Sequence, residues 1–318
     1  MFAFEHAAIH KRCQKKMRDR VGFVGLGSMG APIAERFLSS GKSLIVYDLN
    51  PDNVAPFANA GADVAASPRD VADRAEIVFS CLPSTDACIE VALGENGVAG
   101  GSALKVYIDT STIGMKVARK IAEGLPATIG FLDAPVSGGP PGARAGTLTT
   151  MVSGPKAYFD YASPWFSIMA KNVFHVGETA GQAQLAKLIN NHLSSAGRLA
   201  TFEGLVLALK AGIDIHALTE VINVSSGRNY TTTDKVPSAI LSGTFKFNGR
   251  LAISIKDETL LLEEAENLGV PLWVAPRLLD TLKEAASAGY LDKDSMLLMQ
   301  YMGEQAGIDI QAMITGKD

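Results

Sequence analysis

A doubly wound α/β domain followed by an all-α domain is the fold class this sequence predicts, and three observations predict it. From Val21 to Val176, short β-type runs alternate with short helical patterns, the arrangement of a mostly parallel sheet with helices on its faces. The first of those runs enters a Gly-x-Gly-x-x-Gly turn and then a helix. After Gly177 the alternation stops and helical periodicity takes over as far as Met302.

Taken in order, Val21–Val24 reads as the first strand and Gly25-Leu26-Gly27-Ser28-Met29-Gly30 as the turn into a helix ending at Ser40, stopped by Gly41. Gly25 permits the tight turn, Gly27 lets the backbone approach a pyrophosphate at a helix N-terminus, and Gly30 allows close helix–strand packing. Pro32 fits the first helical turn, where its missing N–H has no intrahelical partner. A second strand, Ser43–Tyr47, ends at Asp48, 18 residues beyond Gly30, where an acid grips an adenosine ribose. Strand, glycine turn, helix, strand and acid together make this a Rossmann-type dinucleotide site. Leu49-Asn-Pro-Asp-Asn53 holds no cation for a 2′-phosphate, so NAD is the expected cofactor, with NADP as the alternative.

The alternation continues through a helix (Asp52–Ala60), a short strand (Ala62–Ala65), a helix (Pro68–Arg74) and a strand (Glu76–Leu82). Then follow a helix (Thr85–Leu93), a strand (Lys105–Asp109), a helix (Met115–Gly124) and a strand (Thr128–Leu132). Ligands of such sheets sit at the carboxyl ends of strands, which singles out the loops Leu82-Pro83-Ser84-Thr85 and Thr110-Ser111-Thr112. Hydroxyls in these positions also serve as helix caps. Asp133 opens the segment Asp-Ala-Pro-Val-Ser137-Gly138-Gly139-Pro-Pro-Gly-Ala-Arg-Ala-Gly-Thr-Leu148. Its Ser-Gly-Gly turn presents backbone N–H groups and a hydroxyl, a concavity suited to a carboxylate, though a Gly/Pro-rich surface loop reads the same way. Strands at Thr147–Val152 and Asn172–Val176, around a helix at Lys156–Met169, complete this half.

Gly181 opens a single long helix to Leu209, with apolar positions at helical spacing and a stop at Ala211-Gly212. Its 29 residues make a rod about 43 Å long, enough to tie two domains together. The domain division predicted is therefore 1–20 as an N-terminal extension, 21–180 as the dinucleotide-binding domain and 181–318 as an all-helical substrate and dimerisation domain. Lys187, Asn190 and Asn191 share one face near the start of the helix; by itself Lys187 reads equally as a solvated charge. Further helices are expected at Ile215–Val224, Thr233–Ser242, Ile255–Leu268, Pro271–Ala288 and Lys293–Met302. Lys256-Asp257 opens one of them, and Arg228, in a polar loop, is a candidate for recognising a distal anionic group.

The glycine-rich turn, the Asp133–Leu148 segment, the segment Gly181-Gln-Ala-Gln-Leu-Ala-Lys187-Leu-Ile-Asn190-Asn191 and the late Lys256-Asp257 pair, in this order, resemble the signatures of the β-hydroxyacid dehydrogenases, the 3-hydroxyisobutyrate dehydrogenase and tartronate semialdehyde reductase family. The resemblance covers Val21 to Met302. It implies hydride transfer between a nicotinamide cofactor and the β-hydroxyl, or semialdehyde, of a small hydroxyacid. It makes Lys187 the general acid/base, Ser137, Gly138, Gly139 and Asn191 the substrate-holding residues, and Leu82, Pro83, Thr112 and Lys256 neighbours of the cofactor beside Gly25–Gly30 and Asp48. Two departures stand out: Ala183 replaces a glycine common four residues before the lysine, and the spacing from Gly177 differs from the common pattern.

A lysine takes a proton from an alcohol only where burial or a neighbouring cation lowers its pKa toward neutrality. In reverse it protonates the developing alkoxide. Imine reductases resemble the same family but generally replace this lysine. Decarboxylating 6-phosphogluconate dehydrogenase has a larger helical domain than the present helical half. A catalytically silent dinucleotide-binding protein on the same fold is the alternative from another class. No G-x-S-x-G elbow and no G-x-x-x-x-G-K loop is present, which gives hydrolase and P-loop chemistry no support.

The 318 residues suffice for two cores, and a formal net charge of -4 gives no general attraction to nucleic acid or anionic membranes. The most apolar stretch, Leu199–Ala211, contains Glu203 and Lys210, so no membrane span is expected. Cys13, Cys81 and Cys88 lack a disulfide-like spacing, which fits a reducing cytoplasm. His6, His10, His175, His192 and His216 form no metal-ligand cluster, and no metal is predicted. The basic head around His10–Arg18 has no apolar h-region for secretion, and Glu5 and Asp19 count against a mitochondrial presequence; Met17 lies where a compact protein would begin. The expected assembly is a homodimer or homotetramer acting on a small carboxylate.

Overall fold

A computed structural model describes Arg20 to Thr315. The expected N-terminal extension, with His6, His10, Cys13 and Met17, lies outside the described residues apart from Arg20. The chain forms two compact units, one ending at Lys187 and the other beginning at Leu188.

The first unit is built on nine strands: β1 (Arg20–Val24), β2 (Ser43–Tyr47), β3 (Asp63–Val64), β4 (Ile77–Ser80), β5 (Val106–Asp109), β6 (Gly130–Asp133), β7 (Val136–Ser137), β8 (Leu148–Ser153) and β9 (Ala170–Gly177). Their order is β3-β2-β1-β4-β5-β6-β8-β7, with β9 paired to β8. The first six are parallel, β8 is antiparallel to β6 and β7, and β9 is parallel to β8. Strands covered on both faces must be apolar at every position. Accordingly Val21, Phe23, Leu44, Val46, Ile77 and Phe79 enter one core, and Val24, Ile45, Val78 and Tyr107 the opposite one. On the first face Phe37 meets Phe79 at 5.0 Å and Trp165 at 5.9 Å between ring centres.

The helices of this unit are α1 (Gly30–Ser39), α2 (Pro51–Asn59), α3 (Pro68–Arg74), α4 (Thr85–Leu93), α5 (Gly114–Gly124), α6 (Gly139–Ala145) and α7 (Lys156–Met169). Asn50, Ser67 and Ser84 cap α2, α3 and α4 by accepting from N–H groups of Asp52, Asp70 and Ala87. Ser84, in one of the loops singled out above, is thus a helix cap. The segment after Ser137, expected as a turn, instead enters α6, whose start carries Pro140 and Pro141 where missing N–H groups cost nothing. The sheet order reverses between β1 and β4, and the crevice outside their carboxyl ends is where such sheets take ligands.

The long helix α8 (Gln182–Lys210) is unbroken, as its sequence period predicts. The second unit continues with α9 (Ile215–Asn223), a wide-turned helix over Thr231–Ile240, α10 (Leu251–Leu268), α11 (Ala275–Ala285), α12 (Leu298–Gln305) and α13 (Ile310–Thr315). Phe202, Leu205, Leu209, Val236, Ile240, Leu278, Leu282, Met296 and Met299 form its core. Pro237 lacks an N–H to donate, and nearby Leu241 N donates five residues back to Val236 O at 2.9 Å, the wide turn of a π-helix. Helix α10 starts at Leu251, four residues before the sequence expectation, so Lys256-Asp257 sits inside the helix rather than opening it. The reason is tertiary: the carbonyls of Lys293 and Leu291 accept the N–H groups of Leu251 and Ala252.

Candidate active site

The glycine-rich turn performs the jobs its spacing requires. Gly25 has φ +92, and a Cβ there would lie 2.4 Å from the Cys81 carbonyl oxygen. A Cβ on Gly30 would lie 1.9 Å from the Gly25 carbonyl oxygen, so α1 packs as closely as a bare backbone allows. Gly27 is different: it is exposed, and a Cβ there would meet nothing within 4 Å. Open ground of this kind at a helix N-terminus suits a pyrophosphate. Ser28 is exposed and Met29 half-buried, whereas the Leu26 side chain is buried in the core and contributes through its backbone.

Asp48 does more than the sequence suggests. Its Oδ2 accepts from Leu26 N at 2.6 Å, and Oδ1 accepts from Asn50 N at 2.8 Å and Asn53 Nδ2 at 3.2 Å. The acid expected at the ribose therefore also clips the glycine loop to the end of β2. A carboxylate offers about four lone-pair sites, enough for a further donor. Helix terminus, open glycine and acid together fit a dinucleotide.

The loops after β4 and β5 are joined. Leu82 N donates to Ser111 Oγ at 2.9 Å, and Ser111 N donates to Asp109 Oδ1 at 2.8 Å. Asp109 is fully buried, and desolvation pushes its carboxyl up in spite of the Ser111 bonds. Pro83 is exposed and Thr112 half-buried beside this junction. Cys81 and Cys88 are free; burial pushes the Cys81 thiol up to about 11, which makes it inert.

A network absent from the sequence reading holds the start of α8. Asp133, at the end of β6, accepts from Ser153 Oγ at 2.6 Å, Gly181 N at 2.9 Å and Gln184 N at 3.1 Å. Ser153 Oγ in turn accepts from Ala183 N at 2.8 Å. The Gln184 amide donates to Ser111 O at 3.0 Å and accepts from Ile113 N at 2.9 Å, flanking Thr112. These bonds fix the first turn of the helix on which Lys187, 8% exposed, follows one turn later. An acid ending an apolar strand was the available signal for Asp133; Gln184 had none beyond its place in the lysine segment.

Ser137 pairs with Thr149 across β7 and β8. Gly138 then takes φ +124 and Gly139 φ +62, values that strain any other residue. Pro140 and Pro141 have no N–H, so this stretch can offer an anion only the N–H groups of Gly138 and Gly139, beside the Ser137 hydroxyl.

In the second unit Asn191 Nδ2 donates to the buried Asp257 at 2.7 Å, and Lys256 Nζ lies 2.8 Å from the other oxygen of the same carboxylate. Asp257 thus gathers two residues that the sequence singled out separately. His192 Nδ1 meets Glu258 Oε2 at 2.9 Å, one position along on each helix.

Comparison with known proteins agrees with this architecture. Residues 20–177 match the NAD binding domain of 6-phosphogluconate dehydrogenase, and residues 181–302 match the NAD-binding domain of NADP-dependent 3-hydroxyisobutyrate dehydrogenase. The mitochondrial 3-hydroxyisobutyrate dehydrogenase of Rattus norvegicus is 35% identical over 92% of this chain and 90% of its own length. The crystal structure of a 3-hydroxyisobutyrate dehydrogenase from Salmonella typhimurium is 31% identical, with a TM-score of 0.76 over 89% of this chain and 99% of that one. An imine reductase from Streptomyces aurantiacus, 22% identical with a TM-score of 0.60 over 89% of this chain and 99% of its own, shares the fold alone. With a dinucleotide crevice and both halves matched in order, the chain belongs to the β-hydroxyacid dehydrogenase family and is an NAD(P)-dependent oxidoreductase of hydroxyacids.

Proposed function

We propose that the protein oxidises the β-hydroxyl of a small hydroxyacid, or reduces the matching semialdehyde, with NAD as its preferred cofactor and Lys187 as the general acid/base. The observation that carries this reading is the buried Lys187 on a helix whose first turn is locked by Asp133, Ser153 and Gln184. Such locking supports the orientation that proton transfer demands. Gly25–Gly30 and Asp48 would hold the dinucleotide, with Leu82, Pro83, Thr112 and Lys256 near it. When bound, the nicotinamide supplies the hydride acceptor or donor.

In the oxidation Lys187 takes the proton from the hydroxyl oxygen; in the reduction it returns one to the developing alkoxide. Ser137 with the Gly138 and Gly139 N–H groups holds the carboxylate, and Asn191, oriented by Asp257, steadies the substrate. The preference for NAD rests on Asp48 and on the absence of a cation in residues 49–53, where Leu49 projects 88% exposed. A homo-oligomer belongs to the same reading, since Leu193, Leu207 and Val221 stand exposed on helices, and Val224 just past the end of α9, where other copies can cover them. So does a cytoplasmic location, supported by the free Cys81 and Cys88; among the described residues no helix is long and apolar enough to cross a membrane.

The test is NADH appearance with a panel of β-hydroxyacids, offering NAD and NADP separately, for the wild type and Lys187→Ala. Turnover of one acid with NAD, reduced at least about 100-fold in the variant while NAD still binds, is the expected result. Cofactor binding with no turnover of any hydroxyacid or semialdehyde would move the assignment to imine chemistry or to a silent binding role.

A further inference from the structure

Among the described residues, the helical unit buries two cations, Arg198 and Lys235, with no carboxylate in contact with either. Arg198 is 4% exposed and Lys235 6%. The Arg198 guanidinium donates to Ser295 Oγ at 3.0 Å, Ser254 Oγ at 3.0 Å and Ser195 Oγ at 3.5 Å, and its Nε N–H meets no acceptor. Lys235 Nζ donates to Ser194 Oγ at 3.0 Å and lies 5.3 and 5.6 Å from the ring centres of Tyr230 and Phe247.

The acids around them act only through space: Asp294 and Glu258 on Arg198, Asp294 and Asp234 on Lys235. Each is also committed elsewhere. Asp294 accepts from the N–H groups of Phe247, Asn248 and Met296, Glu258 is bonded to His192, and Asp234 to the Thr233 hydroxyl. Hydroxyls satisfy donors but cancel no charge. Burial, with the Arg198 charge behind it, pulls the Lys235 ammonium down to about 7. A buried cation left this way is costly until an anion reaches it.

We propose that Lys235, with Ser194 beside it and Arg198 behind, is the subsite for a second acidic group on the substrate, so that the substrate class is a dianionic β-hydroxyacid. This rests on the dehydrogenase reading above. Ser194 follows Lys187 by seven residues on α8, two turns on along the same face and about 10 Å along the axis, a span that suits a short-chain diacid. The rings of Tyr230, itself 53% exposed, and Phe247 flank Lys235. Arg228, the cation the sequence singled out for a distal anion, stands exposed in its loop.

The experiment compares 3-hydroxyisobutyrate with 2-(hydroxymethyl)glutarate, which share the reacting hydroxymethyl and its neighbouring carboxylate and differ by a carboxymethyl group that carries the second charge. The wild type is expected to favour the dianion at least about 10-fold in kcat/KM, and Lys235→Met to lower that preference about 10- to 100-fold, the scale of a hydrogen bond to a charged group. Met keeps the volume and removes a buried charge, so the urea midpoint should hold or rise. No preference in the wild type, or an equal loss on both acids, overturns the proposal. Calorimetric titration with glutarate, which has no hydroxyl, in the presence of NAD separates the two readings. Glutarate binding abolished by Lys235→Met, with neither acid turned over, keeps the subsite and sinks the dehydrogenase reading. Turnover without glutarate binding and without preference does the reverse.

Discussion

Asp133 offers a measurable test of how the lysine-bearing helix is held. Its carboxylate accepts three hydrogen bonds, from Ser153, Gly181 and Gln184. Burial nonetheless raises its pKa from 3.8 to about 6, because desolvation outweighs those bonds. The folded state therefore binds a proton that the unfolded chain releases between pH 3.8 and about 6. Stability contributed by this group is present at low pH and lost as pH rises through that window. At about 1.4 kcal/mol per pH unit the loss is about 3 kcal/mol.

Asp133→Asn keeps an acceptor oxygen and a similar shape but cannot titrate. Relative to the wild type it should gain about 3 kcal/mol between pH 4 and pH 8. Asp133→Ala removes every acceptor, leaving two buried N–H groups and a hydroxyl unmet. The Asn oxygen can still accept from Ser153 and Gly181, the two donors on Oδ1, so at about 1 kcal/mol each the Ala variant should be about 2 kcal/mol less stable than the Asn variant at either pH. Urea unfolding followed by the fluorescence of Trp165, buried in the core of the same unit, reads both differences. Equal pH profiles for wild type and Asp133→Asn would refute the claim that a buried, titrating carboxylate anchors this helix; so would an Ala variant as stable as the Asn variant. Activity should follow the same order, with kcat lower in the Ala variant than in the Asn variant.

The remaining expectations concern the cofactor. Gly27→Ala enters open space and should leave thermal unfolding of the free protein within a few degrees while weakening NAD binding in a fluorescence titration. Gly30→Ala, placing its Cβ 1.9 Å from the Gly25 carbonyl oxygen, should lower the unfolding temperature as well; equal behaviour of the two variants would contradict their assigned jobs. Asp48→Ser removes the charge that repels a 2′-phosphate and should shift the NADP/NAD ratio of kcat/KM toward NADP by about 10-fold or more, at some loss of stability from the freed Leu26 N–H. An unchanged ratio would show that Asp48 serves only as the clip between the glycine loop and β2.

Much of this was written locally. The glycine turn, Asp48, the alternating strands and the apolar period of α8 depend on near neighbours in the chain, because backbone conformation at Gly25 and helical spacing from Leu185 to Leu209 are properties of short windows. Lys187, Asn191 and Ser137–Gly139 were legible for the same reason, as compact motifs. The start of α10 was not, since its first N–H groups are met by Lys293 and Leu291 from far along the sequence. Nor was the helix after Gly139, where a run of Gly and Pro reads locally as a loop. Asp133 holding Gly181 and Gln184, Asp257 joining Asn191 to Lys256, and Lys235 beside Ser194 each link positions 41 to 66 residues apart. Sequence alone thus determined the fold class and the dinucleotide-binding half and singled out the lysine proposed to react, while tertiary structure decided how that lysine's helix is anchored and where uncompensated charge collects. Burial and desolvation belong to the packed chain, and no local pattern encodes them.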